Sequence, residues 1–317
     1  PPPASSTFGA ARCDGVIREY RNVRHVKLLL NPTAGQGRLR DRLREAAAAR
    51  DWLELVETEH ADHAADLITE ACDVEVDTIV AAGGDGTVSQ VVNAVMRCEH
   101  RPTLGIVPMG SANDFAGALG IPADLDAALD VIETGGSRPV DLMRVESASG
   151  GATRYLLNAA SIGLSVRIHE AMDDETKRFW GRFAYARAAV DVVPHADVYR
   201  FDMNLNGEEE QWEALGVVVS NGPRVGGLAI APDADPSDGL IDVVALRPVE
   251  GIERARVVFE FLMGWHIDDE AIYRRRVRKV TVHSDPPTGV IGDGDACGQT
   301  PVTFSNLPGA IEVIVPG

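Results

Sequence analysis

Short apolar segments alternate with helix-forming stretches through the first half of the chain. The apolar segments predict strands at Val26–Leu30, 53–58, 78–82 and 104–107. The stretches between and after them are rich in Ala, Leu and charged residues, and predict helices at 39–52, 61–71, 88–96, 112–119 and 125–132. Strands that alternate with helices in this order indicate an α/β fold with a parallel sheet.

The pattern changes after Gly135-Gly136-Ser137, where strands become frequent and helices few. Strands are predicted near 140–145, 155–162, 200–205, 214–220, 240–246, 277–283 and 310–315, and helices at 179–193 and 253–263. Asn206-Gly207 is a strong signal for a hairpin between antiparallel strands. We therefore predict two domains, an α/β domain over 1–137 that opens with a disordered tail of roughly 20 residues, and a mostly antiparallel β domain over 138–317.

The amino-acid composition argues against some classes of binding partner. The 317-residue chain has 48 acidic and 30 basic residues and a formal charge of −18, which argues against nucleic-acid binding and against membrane attachment through net charge. Its four cysteines are far apart and include no CxxC pair, so zinc and redox motifs are unsupported. With no apolar run of membrane-spanning length and no signal-peptide pattern, we expect a soluble, cytoplasmic protein.

A glycine-rich stretch, Gly83-Gly84-Asp85-Gly86-Thr87, follows the strand at 78–82 and precedes a predicted helix. Glycine lets the backbone approach phosphate oxygens closely, and a helix N-terminus offers free N–H donors. Thr87 is placed to cap that helix or to contact a phosphate. Asp85 alone would repel a phosphate, which implies Mg²⁺ between the two. We predict a nucleotide-phosphate site; the alternative is a tight turn that only caps a helix.

Two further polar loops follow predicted strands, at 31–37 and at 108–116. The carboxyl ends of parallel strands meet at one edge of a sheet, where ligands bind. In the second loop, Ser111 is predicted to cap a helix or hold a phosphate. Asp114 is predicted to share Mg²⁺ with Asp85 or to position an acceptor hydroxyl. The first loop is not a Walker loop, because no Gly-Lys-Ser/Thr follows, and an ordinary strand-to-helix turn is its alternative.

Together these loops resemble the catalytic domain of the diacylglycerol kinase family, which includes sphingosine kinases, ceramide kinases and bacterial soluble lipid kinases. The motifs in order are NPTAGQG from Asn31, GGDGT from Gly83, GSANDFA from Gly110, SNGPRVGGLAIAPDADPSDGLIDV from Ser220 and GDGD from Gly292. The resemblance implies a Rossmann-like N-terminal α/β domain, a C-terminal β-sandwich domain and an active site between them. It also implies that the last segment returns to the first domain.

The resemblance assigns site residues one by one. The implied nucleotide contacts are Asn31, Thr33, Gly35, Thr58, Gly83, Gly84, Asp85, Gly86, Thr87 and Ser111. The implied ligands of a structural Mg²⁺ are Asp235, Asp238 and the backbone carbonyl of Leu240, in an acidic loop whose clustered oxygens suit a hard cation. The alternative for that loop is a solvated acidic turn.

The catalytic base is where the sequence departs from the family. The family usually has Asp-Gly-Glu and takes the Glu as proton acceptor, whereas this chain has Asp295 at that position, one methylene shorter. A general base must come within hydrogen-bonding distance of the attacking hydroxyl. We therefore expect Asp295 to act as the base, with Asp85 and Asp114 as the other catalytic residues; an inert exposed turn is the alternative.

The resulting expectation is an ATP- and Mg²⁺-dependent lipid kinase of phospholipid metabolism. It would phosphorylate a hydroxyl of diacylglycerol or a related lipid during transient contact with a membrane surface. The sequence leaves open whether the protein forms a homodimer. The aromatic and basic stretch 179–185 is predicted either to line the entrance of a lipid site or to pack in the hydrophobic core. Two alternatives are an NAD kinase-like enzyme, which also carries GGDGT, and a nucleotide- and Mg²⁺-binding regulatory protein with weak catalysis.

Overall fold

The protein is described from a computed structural model. It covers residues 18–19, 26–31, 37–59, 61–74, 76–148, 150, 153–164, 166–167, 196–248, 257, 260 and 271–317. The helices are α1 (Gly37–Ala48), α2 (Ala61–Asp73), α3 (Asp85–Val95), α4 (Asp114–Ala118) and α5 (Leu125–Thr134). The strands of the first half are β1 (Arg18–Glu19), β2 (Val26–Leu30), β3 (Leu53–Glu57), β4 (Thr78–Gly83), β5 (Thr103–Pro108), β6 (Gly136–Ser147), β7 (Arg154–Leu156) and β8 (Ala159–Gly163). The later strands are β9 (Tyr199–Leu205), β10 (Glu208–Ala214), β11 (Gly216–Ser220), β12 (Ile241–Leu246), β13 (Ile272–Val277), β14 (Lys279–Asp285), β15 (Gly289–Gly292), β16 (Asp295–Gln299) and β17 (Val302–Val315).

The first domain contains the predicted parallel sheet. Strands β3, β2, β4 and β5 are neighbours in that order and all run parallel. Strands β4 and β5 are buried along their whole length because helices cover both faces, which explains their continuous apolar sequence. Their carboxyl ends therefore meet at one edge of the sheet, as the prediction of a ligand edge requires.

Strand β17 joins the two halves of the molecule. It runs parallel to β5 where Val313 lies opposite Leu104, and it pairs antiparallel with β6 and β14. The register with β6 shifts between Leu307 and Ile311, where Gly309 has φ +58°. One continuous sheet thus extends from the parallel strands into the antiparallel domain.

A second sheet completes the antiparallel domain, with the order β13-β12-β11-β8-β15-β16. All of its pairings are antiparallel. Its inward side chains share a buried core with those of β9, β10, β14 and β17, including Phe201, Trp212 and Phe304. The predicted fold class, an α/β domain followed by an antiparallel β domain, is confirmed.

Element boundaries differ from the sequence prediction at the loops. Helix α3 begins at Asp85, three residues before the predicted start, and α4 is shorter than the predicted helix at 112–119. The strand predicted at 155–162 is divided into β7 and β8. The hairpin at Asn206-Gly207 is confirmed, with φ values of 56° and 101° at the two turn residues.

Some predictions fall on residues that the structure does not describe. These are the predicted N-terminal tail apart from residues 18–19, the helix at 179–193 with its aromatic stretch 179–185, and nearly all of the helix at 253–263. The domain boundary after residue 137 stays a prediction. A disulfide joins Cys72 and Cys98, a pairing that the sequence did not suggest. Among the helices that are described, none combines the length and the apolar character that crossing a membrane requires.

Replacing Val313 by Ala should destabilise the fold, because this fully buried side chain lies where β17 meets β5 and β6. Loss of two buried methyl groups should lower the free energy of unfolding by about 2 kcal/mol. Chemical denaturation measures the change, and Ser305→Ala, at a partly exposed position of the same strand, is the matched control. Equal stability of the two variants would show that this junction contributes little.

Candidate functional site

The glycine-rich stretch forms the last residue of β4 and the first turn of α3. Gly84 is the N-cap residue and makes no side-chain cap bond, so Asp85, Gly86 and Thr87 lie inside the helix. A Cβ on Gly83 would lie 2.3 Å from the Thr87 hydroxyl, so only glycine allows this close packing. The first N–H groups of a helix have no intrahelical partner, and they attract anions. Thr87 is therefore not the cap, which corrects one of its two predicted roles.

The loop after β5 packs directly against this turn. A Cβ on Gly110 would lie 2.5 Å from Gly84 Cα, and the Met109 amide donates to the Gly83 carbonyl at 2.8 Å. Asn113, with φ 51°, holds the loop closed by bonding Gly110 N and O, each at 2.9 Å. Asn113 also occupies the N-cap position of α4. The prediction that Ser111 caps this helix is wrong, and Ser111 is left exposed.

Three predicted nucleotide contacts meet at the ends of β2, β3 and β4. The Asn31 amide donates to the Thr87 hydroxyl at 3.3 Å. The buried Thr58 donates from its backbone N–H to the Leu30 carbonyl at 3.0 Å, with its hydroxyl 3.4 Å from the same oxygen. Thr33 and Gly35 lie outside the described residues. The structure thus brings Asn31, Thr58 and Thr87 to one edge of the sheet.

Asp85 contacts the loop that carries Asp114, and both carboxylates contact the second domain. Asp85 Oδ1 accepts from the Phe115 amide at 3.1 Å and lies 3.5 Å from the Asn158 amide nitrogen. Both oxygens of Asp114 accept from the Gly227 amide, at 3.1 and 3.0 Å. Asp114 is only 5% exposed, and this burial raises the pKa of its carboxyl, opposed by the Gly227 N–H and reinforced by the negative charge of Asp85.

Asp293 lies next to the predicted site residues, although the sequence reasoning gave it no role. Its carboxylate accepts from the amides of Leu157, Asn158 and Ala159 at 2.6, 3.1 and 3.2 Å. Burial of the carboxyl raises its pKa to about 6, with a further contribution from the negative charge of Asp85, although the three N–H bonds lower it. The signal in the sequence was the Asp-Gly turn itself, since Asp293 has φ 46° and begins the β15–β16 turn.

Asp295 lies on the other side of this turn and is bound by an arginine. Its side chain is 63% exposed, and Oδ2 pairs with Arg154 Nη2 at 2.8 Å. Arg154 also donates to the Ala296 carbonyl at 3.0 Å, so the guanidinium holds both the side chain and the strand. Asp295 lines a cavity of about 670 Å³ that also includes Ser89 and Asn93, which lie one and two turns beyond Asp85 on α3.

Asn93 connects this cavity wall to the second domain. Its side-chain oxygen accepts from the Tyr155 amide at 3.0 Å, and its side-chain nitrogen donates to the Tyr155 carbonyl at 2.8 Å. The Asn93 side chain therefore bonds both the N–H and the carbonyl of Tyr155 in β7, as a neighbouring strand would. Asp85, at the start of the same helix, is thereby fixed relative to the β16 strand that carries Asp295.

The motif beginning at Ser220 supports the turn between β7 and β8. The Asn221 and Gly222 amides donate to the Asn158 carbonyl at 2.7 and 3.2 Å. The Asn221 side chain donates to the Asp141 and Leu157 carbonyls, each at 3.0 Å. The role of this motif is thus to fix the backbone at 157–158 from the side opposite Asp293.

The acidic loop at Asp235 and Asp238 makes contacts that compete with metal binding. Asp238 Oδ2 is paired with the Arg276 guanidinium. The Leu240 carbonyl accepts from the Asn306 amide at 3.0 Å, and Asp235 accepts from the Ser237 amide at 3.0 Å. Within the described residues, no group of three or more His, Cys, Asp or Glu side chains is placed to hold a metal ion. Arg276 supplies a positive charge to this loop, and the metal site at Asp235, Asp238 and Leu240 stays a prediction.

Two family profiles match almost all of the chain. The diacylglycerol kinase catalytic domain matches residues 25–145, and the YegS C-terminal NAD kinase β-sandwich-like domain matches residues 158–315. Diacylglycerol kinase from Bacillus subtilis is 31% identical over 300 residues, covering 93% of this chain and 97% of that enzyme.

Two other proteins extend the comparison. Diacylglycerol kinase from Staphylococcus aureus is 28% identical over 301 residues, covering 92% of this chain and 93% of that enzyme. The crystal structure of a diacylglycerol kinase from Bacillus anthracis str. Sterne has a TM-score of 0.72 at 25% identity, covering 93% of this chain and 98% of that one. These matches agree with the resemblance carried by the ordered motifs.

Replacing Gly110 by Ala should separate the two loops, because the new methyl group would collide with the backbone of Gly84. We expect a lower melting temperature and weaker ATP binding, measured by thermal unfolding and calorimetric titration. The matched control is Gly117→Ala in α4, where a Cβ meets nothing within 4 Å, so stability should be unchanged or slightly higher. Equal ATP affinity in both variants would contradict the proposed contact between the loops.

Replacing Asp114 by Asn should stabilise the metal-free protein at neutral pH. Burial raises the pKa of Asp114 in the folded state, so its contribution to stability falls as pH rises through that pKa. Asn keeps an oxygen for the Gly227 amide without the buried charge. The gain in melting temperature should be present at pH 7 and should shrink towards pH 4. A gain independent of pH would show that desolvation of this carboxylate is not the cause.

Proposed function

The chain belongs to the diacylglycerol kinase catalytic-domain family, and on this basis we propose that it transfers the γ-phosphate of ATP to a hydroxyl of diacylglycerol or a closely related lipid. The observation that carries the proposal is the position of Asp85. This carboxylate opens the helix of the glycine-rich stretch and also contacts Phe115 of the neighbouring loop and Asn158 of the second domain. These contacts support a proposed site at which the start of α3 binds phosphate beside the carboxylate of Asp85.

The nucleotide side of the proposal rests on the first domain. The free N–H groups at the start of α3 would bind phosphate oxygens, and the Gly84–Gly110 contact keeps side chains away from that surface. Asn31, Thr58 and Thr87 lie beside it. Thr33, Gly35 and Ser111 stay proposals for contacts with the same nucleotide.

The transfer step needs a base and a positioned hydroxyl. The acceptor oxygen attacks the γ-phosphorus, the bond from that phosphorus to the bridging oxygen of ADP breaks, and the hydroxyl proton passes to a carboxylate. Asp295 is our proposed acceptor of this proton. Arg154 pairs with this carboxylate at 2.8 Å and orients it. Asp293, whose oxygens are occupied by backbone amides, holds the turn in place.

Mg²⁺ has a suitable donor at Asp85. Of its carboxylate oxygens, Oδ1 accepts hydrogen bonds, whereas Oδ2 accepts none from the described residues. Mg²⁺ is usually held by one or two carboxylates together with substrate phosphates, so this oxygen fits it. When bound, the ion would neutralise charge on the phosphates. Binding of a second Mg²⁺ at Asp235, Asp238 and Leu240 would require Arg276 to leave Asp238.

The acceptor side of the proposal rests on the relatives and on the cavity beside Asp295. Most of its lining is polar, including Ser89, Asn93, Thr153 and Arg154, which suits a lipid headgroup better than acyl chains. Such a lipid would be presented by a membrane surface during transient contact with a cytoplasmic protein. The basic run at Arg274–Arg276 has a limited part in this contact, since Arg275 and Arg276 are paired with Glu210 and Asp238.

The direct test is a transfer assay with γ-labelled ATP and Mg²⁺ on diacylglycerol, phosphatidylglycerol, a sphingoid base and NAD. We expect label in the organic phase with diacylglycerol, and mass spectrometry should identify the phosphorylated lipid. Asp85→Asn, matched in shape, should reduce kcat by at least about 100-fold while folding normally, because charge stabilisation is lost. Label on NAD would favour the NAD kinase alternative, and ATP binding without transfer to any acceptor would favour the regulatory one.

A further inference from the structure

A disulfide joins the far ends of helices α2 and α3. Cys72 lies in the last turn of α2, and Cys98 lies just beyond the end of α3. Because β3, β2, β4 and β5 are parallel, both helices start at the edge where β3 and β4 end, and both run back towards the opposite edge. The disulfide therefore lies at the opposite end of α3 from Asp85 and the proposed phosphate site.

The disulfide closes a loop of chain that contains the proposed phosphate-binding segment. Cys72 and Cys98 are 26 positions apart. Between them lie β4, the glycine-rich stretch at 83–87 and all of α3, including Asp85. A cross-link restricts the conformations that the enclosed chain can adopt. The segment proposed to bind the phosphates is thus tied covalently to the helix that precedes it.

Packing also holds the two helices together. Ile68 of α2 lies in the same buried cluster as Val91 and Val92 of α3. Cys72 and Cys98 pack against this cluster but are partly exposed. A small thiol can therefore reach the disulfide, and the apolar contacts remain when the disulfide is opened. The cross-link is a constraint that can be removed without unfolding the domain.

Cys297 is the free cysteine of the described part of the chain. Burial raises the pKa of its thiol, although the positive charge of Arg154 opposes this shift. Little thiolate is therefore present at neutral pH, and thiolate is the form that takes part in disulfide exchange. Cys297 is thus a poor partner for exchange and a suitable control for the disulfide pair.

We propose that Cys72 and Cys98 form a redox-sensitive pair that controls nucleotide binding at the start of α3. This proposal rests on the proposed function and adds a regulation of the same site. The protein is proposed to be cytoplasmic, and the disulfides found in reducing compartments are usually transient, with catalytic or redox-sensing roles. The disulfide form would bind the nucleotide more tightly than the dithiol form.

The exchange requires a dithiol reductant. A thiolate of the reductant attacks one sulfur of the disulfide, the bond between the sulfurs of Cys72 and Cys98 breaks, and the released cysteine thiolate takes up a proton. The second thiol of the reductant then attacks the mixed disulfide and displaces the other cysteine. The reductant leaves as its own disulfide, and both cysteines become thiols. A low-molecular-weight disulfide reverses the reaction.

The effect on nucleotide binding follows from the cost of ordering. With the disulfide closed, the segment from β4 to α3 is already restricted before the nucleotide binds. With the disulfide open, this segment has more freedom, and binding must order it at a cost in affinity. By thermodynamic linkage, the bound nucleotide must favour the disulfide form over the dithiol form by the same factor.

The test compares the oxidised native protein with the protein reduced by dithiothreitol without denaturant. We expect reduction to release two additional thiols, to keep the circular dichroism spectrum, and to lower the melting temperature by roughly 5 °C. The affinity for a non-hydrolysable ATP analogue with Mg²⁺, measured by calorimetric titration, should fall by about 10-fold. In a redox buffer, the bound analogue should shift the ratio of disulfide to dithiol by the same factor.

Two variants separate this pair from other effects of the reductant. Cys72→Ser/Cys98→Ser should bind the analogue as weakly as the reduced native protein and should not respond to dithiothreitol. Cys297→Ser should keep the full response. If the double variant does not fold, the comparison of oxidised and reduced native protein decides.

Three results would overturn the proposal. These are release of the two thiols only after denaturation, equal affinity of the oxidised and reduced forms, and a response to dithiothreitol that persists in the double variant. The binding measurements need no lipid. Failure to phosphorylate any lipid, with nucleotide binding and its redox response intact, would refute the proposed function and leave this inference standing.

Discussion

The buried hydrogen-bond network around residues 157–159 is the constraint on which the rest of the site depends. Asp293 accepts three consecutive amides from one side, and the SNG motif donates to the Asn158 carbonyl from the other. A buried carboxylate is tolerated only when its oxygens are satisfied. Because these bonds fix the turn between β7 and β8, they also fix the distance between the second domain and Asp85.

The electrostatics of the site follow from this geometry. Burial raises the pKa of Asp114 and of Asp293, and the negative charge of Asp85 raises both further. A protein with a formal charge of −18 thus concentrates further negative charge where phosphates are proposed to bind. A cation would reconcile the two, which is the reason for proposing Mg²⁺ beside Asp85. Arg276 plays the same role at the acidic loop, where it pairs with Asp238.

The sequence predicted well those features that depend on local pattern. The strands β2 to β5, the glycine-rich stretch and the Asn206-Gly207 hairpin all follow from apolar periodicity or turn chemistry. It predicted less well the helix starts and caps that depend on tertiary contacts. Helix α3 starts at Asp85, where its N-cap Gly84 packs against Gly110 of the next loop, and the cap of α4 is Asn113, whose side chain closes the loop on Gly110. Asp293 and Asn158 were not recognised, since their importance lies in bonds to residues more than 60 positions away.

The central claim is that phosphoryl transfer takes place at Asp85, between the start of α3 and the β7–β8 turn. The most direct measurement is a crystal structure of the complex with a non-hydrolysable ATP analogue and Mg²⁺. The account predicts the γ-phosphate at the N-terminus of α3 and the ion bonded to Asp85. A nucleotide bound elsewhere, or with its γ-phosphate directed away from the second domain, would contradict it.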